Sequence, residues 1–205
     1  MSQPLFIREN LLPGDFFHVW STGKYGKQIQ HVIGSVGTHD ALVLDHFHVG
    51  ESTVKPPFAH RTALDVYEDR LRAGTCRVAI LRIPDLTTEQ RRRIADAWIE
   101  HVQGEFYDFL GIVRLGVKHL LLRALPDDSI AREEALGWQW AHWCTEGLRT
   151  ATLKSSAGHI DPLGKENPTP KTVENRARDG RLVDVSLRCL SEAGLRYRLL
   201  IPGVV

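Results

Sequence analysis

The chain has 205 residues, of which 42% are hydrophobic and 25% are charged, and its formal net charge is +1. This composition is typical of one globular domain spanning residues 1–205. The near-neutral charge removes the usual electrostatic argument for a nucleic-acid partner. Three widely spaced cysteines do not form a disulfide framework, and the N-terminus lacks a signal-peptide pattern. We therefore expect a cytoplasmic protein with reduced thiols and no integral membrane segment.

The predicted elements alternate between strands and helices. Strands are predicted at 16–20, 77–83, 182–187 and 195–201. Helices are predicted at 61–73, from Thr87 or Thr88 to Val102, at 107–125, from Cys144 to about Ser155, and at 170–178; residues 24–36 are ambiguous. This order favours an α+β fold, in which an antiparallel sheet packs against the helix that carries Cys144.

The clearest hairpin covers residues 39–51, with the polar pair Asp45-His46 as its turn. A turn centred on Asp45 places His39 directly opposite Glu51, on the same face of the sheet. A carboxylate in that position orients an imidazole and raises its basicity. The competing register pairs His39 with His48, but it moves the turn into an apolar run. The third residue of the site is therefore Glu51 or, in that register, His48.

Cys144 lies where an aromatic-rich run changes to a helical pattern. Trp143, Gly147, Leu148 and Ala151 recur at the spacing of one helix face, which places the cysteine in the first turn. Unpaired backbone N–H groups and the positive end of the helix dipole favour a thiolate there. The simpler interpretation is a small buried side chain, which is the usual role of a lone intracellular cysteine.

Five segments occur in the order found in one known family. They are Leu12-Pro-Gly-Asp15, Thr38-His-Asp-Ala-Leu-Val43, Glu51, Tyr107-Asp-Phe-Leu-Gly111 and Trp143-Cys-Thr-Glu146. In this order the chain resembles the circularly permuted NlpC-type papain-like proteins. The group that includes YiiX and YaeF is the nearest, and lecithin retinol acyltransferase is a more distant relative.

The resemblance implies a permuted papain-like fold with Cys144 as nucleophile at a helix N-terminus, His39 as base and Glu51 as orienting residue. It covers about residues 11 to 185. The chain departs from the family at Thr145, where a serine is more frequent, and at Asp40-Ala41, where the family has Val-Gly. The chemistry implied is acyl transfer, as hydrolysis of an amide, peptide or thioester bond through an acyl-enzyme.

Other polar residues are weaker candidates. His18 and Tyr25 are predicted to line the cleft near the base. Spacing typical of a zinc site is absent, and so is a phosphate-binding glycine loop; we therefore expect neither a metal nor a cofactor. The alternative function is a lipid-handling acyltransferase or thioesterase, or a non-catalytic ligand-binding relative. In that case the apolar segment 110–125 would form a surface helix that meets lipid or a partner, although a core helix is the commoner case.

Overall fold

The computed structural model describes residues 3–23, 26–27, 30, 34–53, 56–105, 144–156, 159–164 and 168–204. Statements about structure below refer to these residues. The strands are β1 (Phe16–Ser21), β2 (His39–Val43), β3 (His48–Ser52), β4 (Ala59–Ala63), β5 (Cys76–Arg82) and β6 (Val183–Asp184). The α-helices are α1 (Leu64–Arg72), α2 (Thr88–His101), α3 (Cys144–Ser155), α4 (Pro170–Arg178), α5 (Ser186–Cys189) and α6 (Glu192–Leu195), and a 3₁₀ turn covers Arg8–Asn10.

The six strands form one antiparallel sheet in the order β4-β3-β2-β1-β5-β6. Both faces of this sheet are covered. On one face Phe16 and Leu42 pack with Trp98 of α2 and Leu148 of α3. On the other face a second cluster includes Tyr67 of α1. Because both faces are buried, the central strands read as apolar runs rather than as an alternation of apolar and polar residues. The α+β class predicted from the sequence is confirmed.

Helix α2 begins at a capping box and packs closely against the sheet. The Thr87 side chain accepts a hydrogen bond from the Gln90 backbone, and the Gln90 side chain accepts one from the Thr87 backbone, which satisfies two free N–H donors. Trp98 of this helix lies against Gly50 of β3, where an added Cβ would meet the indole ring at 2.6 Å. Glycine at this position therefore allows the helix to approach the hairpin strand that carries Glu51.

Three predicted segments differ from the structure. Residues 61–63 belong to β4, so the helix predicted over 61–73 begins at Leu64 instead. The predicted strand 182–187 is limited to Val183–Asp184, because the Asp184 carboxylate accepts a hydrogen bond from the Ser186 backbone where α5 begins. The predicted strand 195–201 is wrong: only an isolated bridge between Val78 and Arg198 joins this segment to the sheet.

The predicted helix over residues 107–125 lies outside the described residues. The helices at 88–101, 144–155 and 170–178 follow the predicted bounds within one residue, and the strand predicted at 77–83 is β5. None of the helices that the structure describes combines the length and apolar character needed to cross a membrane.

Candidate active site

His39 and Glu51 lie on the same face of the β2–β3 hairpin. His39 Nε2 is 3.0 Å from Glu51 Oε2, and Glu51 is buried while the His39 side chain is 20% exposed. The predicted register was wrong by two positions, because Glu51 lies opposite Ala41 and not opposite His39. Since side chains alternate with a period of two, this shift keeps both residues on one face and makes them diagonal neighbours.

The hairpin loop explains the difference in register. The Asp45 carboxylate accepts a hydrogen bond from the Phe47 backbone at 2.7 Å, and the Leu44 backbone N–H donates to the His48 carbonyl. This side-chain turn makes residues 45–47 the loop between the paired residues Leu44 and His48, so the hairpin is centred on His46 and not on Asp45.

Glu51 accepts hydrogen bonds from three side chains. Besides His39, Thr62 Oγ1 donates to Oε1 at 2.6 Å and Tyr67 Oη donates to Oε2 at 2.7 Å. Arg70 and His60 lie farther away, at 3.5 and 3.8 Å from Oε1. Burial raises the pKa of Glu51, but the hydrogen bonds from His39, Thr62 and Tyr67 and the charge of His39 hold that pKa well below its usual range. Glu51 is therefore a buried carboxylate that keeps its negative charge.

Cys144 interacts with the same imidazole. It is the first residue of α3 and is 7% exposed. Burial lowers the pKa of His39, but the negative charge of an ionised Cys144, a hydrogen bond with its side chain, and Glu51 together raise that pKa to about 10. The arrangement thus favours a protonated His39 beside the Glu51 carboxylate.

The other two cysteines have different surroundings. Cys76 and Cys189 are both buried, at 4% and 0% exposure, so exposure by itself does not distinguish Cys144. Burial raises the pKa of Cys76 to about 11 and that of Cys189 to about 12. Neither thiol has an imidazole among the causes of its shift, and the protonated form of both is favoured.

The other two histidines of the hairpin, His46 and His48, contact residues other than His39. His48 Nδ1 lies 2.9 Å from Asp45 Oδ1, and Arg61 lies beside both. His46 Nδ1 lies 2.8 Å from the Arg8 carbonyl. The register that would pair His48 with His39 is not observed, and Glu51, not His48, contacts His39.

His18 has no exposed surface in the structure. Its Nδ1 is 2.7 Å from Asp40 Oδ1 and its Nε2 is 3.4 Å from Glu174 Oε1, so both ring nitrogens face carboxylates. The expectation that His18 contacts a substrate stays a prediction. Tyr25, the second predicted cleft residue, lies outside the described residues.

Thr62 and Tyr67 were missed by the sequence analysis because β4 was read as part of a helix. If residues 59–63 are recognised as a strand next to β3, alternation places Thr62 on the Glu51 face. Tyr67, the fourth residue of α1, reaches the same carboxylate from that helix. No local sequence pattern indicates that second contact.

No family model matches the chain, and no curated protein matches it significantly. Among solved structures, the fold is similar to that of the metalloprotein YiiX from Escherichia coli O157:H7, with a TM-score of 0.50. The two sequences are 16% identical, and the similarity covers 82% of this chain and 81% of YiiX. At this identity the likeness concerns the fold.

Proposed function

We propose that this chain is a cysteine-dependent acyl hydrolase, an amidase or peptidase of the permuted papain-like type. The observation that carries the proposal is the imidazole of His39, which contacts the buried Glu51 carboxylate while interacting with Cys144. The fold similarity to YiiX supports it, because the sequence resemblance points to the group that includes YiiX. An imidazole between a thiol and a carboxylate is the arrangement that activates a sulfur nucleophile.

Each residue has a defined role in the proposed reaction. His39 holds the proton of Cys144, and the thiolate sulfur attacks the carbonyl carbon to form a tetrahedral intermediate. As the bond to the leaving group breaks, His39 gives it the proton, and an acyl-enzyme remains on Cys144. His39 then takes a proton from water, which attacks the thioester and releases the acid together with the free thiol. Backbone N–H groups at the start of α3 are the proposed donors to the oxyanion.

Glu51 acts through His39. Since Nε2 of the ring contacts Glu51, Nδ1 is the nitrogen that remains to exchange a proton with Cys144. The carboxylate fixes this orientation and stabilises the positive charge on the ring. The hydrogen bonds from Thr62 and Tyr67 hold Glu51 in place for this role.

YiiX is described as a metalloprotein. In the part of the chain that the structure describes, no group of three or more His, Cys, Asp or Glu side chains is arranged to hold a metal ion. No step of the proposed reaction involves a metal.

Labelling with a chloroacetamide probe, followed by peptide mapping, tests the proposal. We expect Cys144 to react much faster than Cys76 and Cys189, because among the described residues an imidazole affects Cys144 and neither of the other thiols, and His39→Ala should remove this advantage. Cys76→Ala and Cys189→Ala are the matched controls and should leave the labelling rate of Cys144 unchanged. Equal rates at all three thiols, each following the titration of a free thiol, would refute the assignment.

A panel of acyl compounds then separates hydrolysis from the alternative. Amide and peptide substrates should be cleaved by the wild type and not by Cys144→Ala. Transfer of the acyl group from an ester to an amine acceptor, without release of the free acid, would instead support a lipid-handling acyltransferase. The segment 110–125 on which that alternative depends lies outside the described residues.

A further inference from the structure

A second hydrogen-bonded network lies directly beside the proposed site. Thr145 Oγ1 donates to Asp40 Oδ2 at 2.6 Å, and His18 Nδ1 is 2.7 Å from the other oxygen, Asp40 Oδ1. All three side chains have no exposed surface. The network joins α3, β2 and β1 through side chains that solvent does not reach.

Glu174 of α4 closes the far end of this network. Its Oε1 accepts hydrogen bonds from the backbone of Val36 at 2.6 Å and Gly37 at 3.0 Å, and from the Ser35 hydroxyl. The same oxygen is 3.4 Å from His18 Nε2. Glycine is required at position 37, because an added Cβ would lie 2.1 Å from the His18 ring. The ring is therefore held on several sides.

Sequence neighbours link this network to the proposed chemistry. Thr145 follows Cys144 in α3, and Asp40 follows His39 in β2. Two successive residues of the helix thus interact with two successive residues of the strand, one pair through the thiol and the imidazole and one through the hydroxyl and the carboxylate. Thr145 and Asp40 are also two of the positions at which the sequence departs from the family pattern, and here they contact each other.

The composition of the network argues for a role in positioning. A buried carboxylate is costly unless it is well hydrogen-bonded, and well-packed apolar side chains would join a helix to a strand at lower electrostatic cost. Hydrogen bonds differ from apolar contacts in that they specify distance and direction. The contact between Thr145 and Asp40 therefore sets where the start of α3 lies relative to β2.

We propose that Thr145, Asp40 and His18 are positioning residues that hold the Cys144 thiol against the His39 imidazole. The proposal rests on the proposed function. Thr145 makes the direct link, Asp40 receives it, and His18 holds Asp40 in the orientation that accepts it. Thr145 Oγ1 also lies 3.8 Å from Cys144 Sγ, within hydrogen-bonding range of a sulfur atom, whereas Asp40 and His18 act on the thiol through Thr145.

Thr145→Val tests the proposal, because it removes the hydroxyl and keeps the branched shape. We expect the second-order rate of Cys144 alkylation by iodoacetamide at neutral pH to fall, up to about 10²-fold, since misplacing a reactive group by about 1 Å has that effect. Thr145→Ser restores a hydroxyl and should recover most of the wild-type rate. If Thr145→Val does not fold, Thr145→Ala takes its place with the same expectation.

Thr152→Val is the matched control. Thr152 is a fully buried threonine of the same helix, but its hydroxyl donates to the Arg149 carbonyl at 2.9 Å and not to Asp40. It should leave Cys144 alkylation at the wild-type rate. Equal slowing by Thr145→Val and Thr152→Val, or failure of Thr145→Ser to recover the rate, would show a general loosening of the helix and overturn the proposal.

The wild-type control separates the two proposals. If Cys144 reacts no faster than Cys76 and Cys189 in the wild type, the proposed function itself fails. If Cys144 is selectively fast in the wild type and equally fast in Thr145→Val, the proposed function stands and the positioning role is refuted.

Discussion

At the scale of single residues, the negative charge of Glu51 helps to raise the pKa of His39. Three side chains donate to this buried carboxylate, and its pKa stays well below the usual range despite burial. The carboxylate is therefore ionised whenever His39 is protonated at neutral pH. Orientation of the ring by hydrogen bonding and stabilisation of its charge are two separate contributions, and they respond differently to substitution.

Substitutions at His39 and Glu51 separate these contributions. His39→Ala should lower kcat about 10²- to 10⁴-fold, nearly as far as Cys144→Ala, because the thiol loses its base and members of one unit are not additive. Glu51→Gln keeps a hydrogen-bonding group but loses the charge. We expect a smaller loss, mainly in kcat with KM little changed. Steady-state kinetics on an amide or peptide substrate identified by the panel provide the measurement.

His48→Ala is the control for this series. His48 contacts Asp45 and Arg61 in the structure and should have almost no effect on kcat. A nearly inactive His48→Ala together with a nearly unaffected Glu51→Gln would mean that the third residue of the site has to be reassigned.

At the scale of elements, the unit formed by β4 and α1 supports the hairpin that carries the site. Thr62 comes from β4 and Tyr67 from α1, and both donate to Glu51 of β3. The Tyr67 ring is fully buried in the cluster that covers one face of the sheet. The hydroxyl position is thus determined by the packing of the helix, and the helix in turn contributes to the electrostatics of the site.

Tyr67→Phe tests this coupling. Removing one donor from a buried carboxylate should lower the free energy of unfolding by about 1.5–3 kcal/mol at neutral pH. Because the pKa of Glu51 is lower in the folded state, the stabilisation is present above about pH 4.5 and is lost as pH falls below it. The difference between the variant and the wild type should therefore shrink in acid. Urea unfolding over a pH series measures it.

Tyr197→Phe provides the comparison, because the Tyr197 hydroxyl has no hydrogen bond to another residue that the structure describes. We expect a change in the free energy of unfolding below about 0.5 kcal/mol, independent of pH. A destabilisation by Tyr67→Phe that is equally large in acid would show that the hydroxyl acts on packing and not on Glu51.

At the scale of the whole molecule, buried charges connect the sheet to its surrounding helices. His18, Asp40 and Glu174 come from β1, β2 and α4 and are all fully buried. Burial lowers the pKa of His18, but Asp40 and Glu174 raise it to about 9. Burial raises the pKa of Glu174, but His18, Ser35 and Gly37 lower it to about 2. At neutral pH His18 is therefore a cation, and its ring nitrogens lie 2.7 Å from Asp40 and 3.4 Å from Glu174.

Stability should depend on the protonation of His18. Since its folded pKa lies above the unfolded value of 6.5, its stabilising charge is complete below about pH 6.5 and is lost as pH rises through about 9. His18→Gln should lower the free energy of unfolding by about 3–5 kcal/mol at pH 6 and by less above pH 9, because the buried Asp40 loses the cation at its Oδ1. Glu174 also loses this cation but keeps Lys171 at 3.1 Å and Arg178 at 3.7 Å from its other oxygen. Urea unfolding of both proteins from about pH 6 to 10 tests this.

The wild-type comparison also accounts for His39, whose raised pKa contributes equally in both proteins and cancels in the difference. Nuclear magnetic resonance titration of the His18 ring in the wild type gives its folded pKa directly. A midpoint near 6.5, or a constant difference in stability across the pH range, would contradict the prediction.

Local patterns in the sequence determined the helices that have clear start signals or regular apolar spacing. Thr87 and Gln90 form a capping box, Pro170 opens a helix at its first position, and the helix over 144–155 follows its apolar spacing. His39 and Glu51 share a face in the predicted register and in the observed one, because the two registers differ by two residues; a one-residue shift would have placed them on opposite faces. These features involve interactions between residues that are near one another in the chain.

The tertiary structure decided what depends on distant residues. The turn register followed from the Asp45 side chain, and the segment after Asp184 became two short helices with a single bridge to the sheet. The contact of Thr145 with Asp40 joins residues 105 positions apart, and that of His18 with Glu174 joins residues 156 apart. Hydrogen bonds over such separations leave no periodicity in the sequence, because only the packing of helices on the sheet brings their partners together.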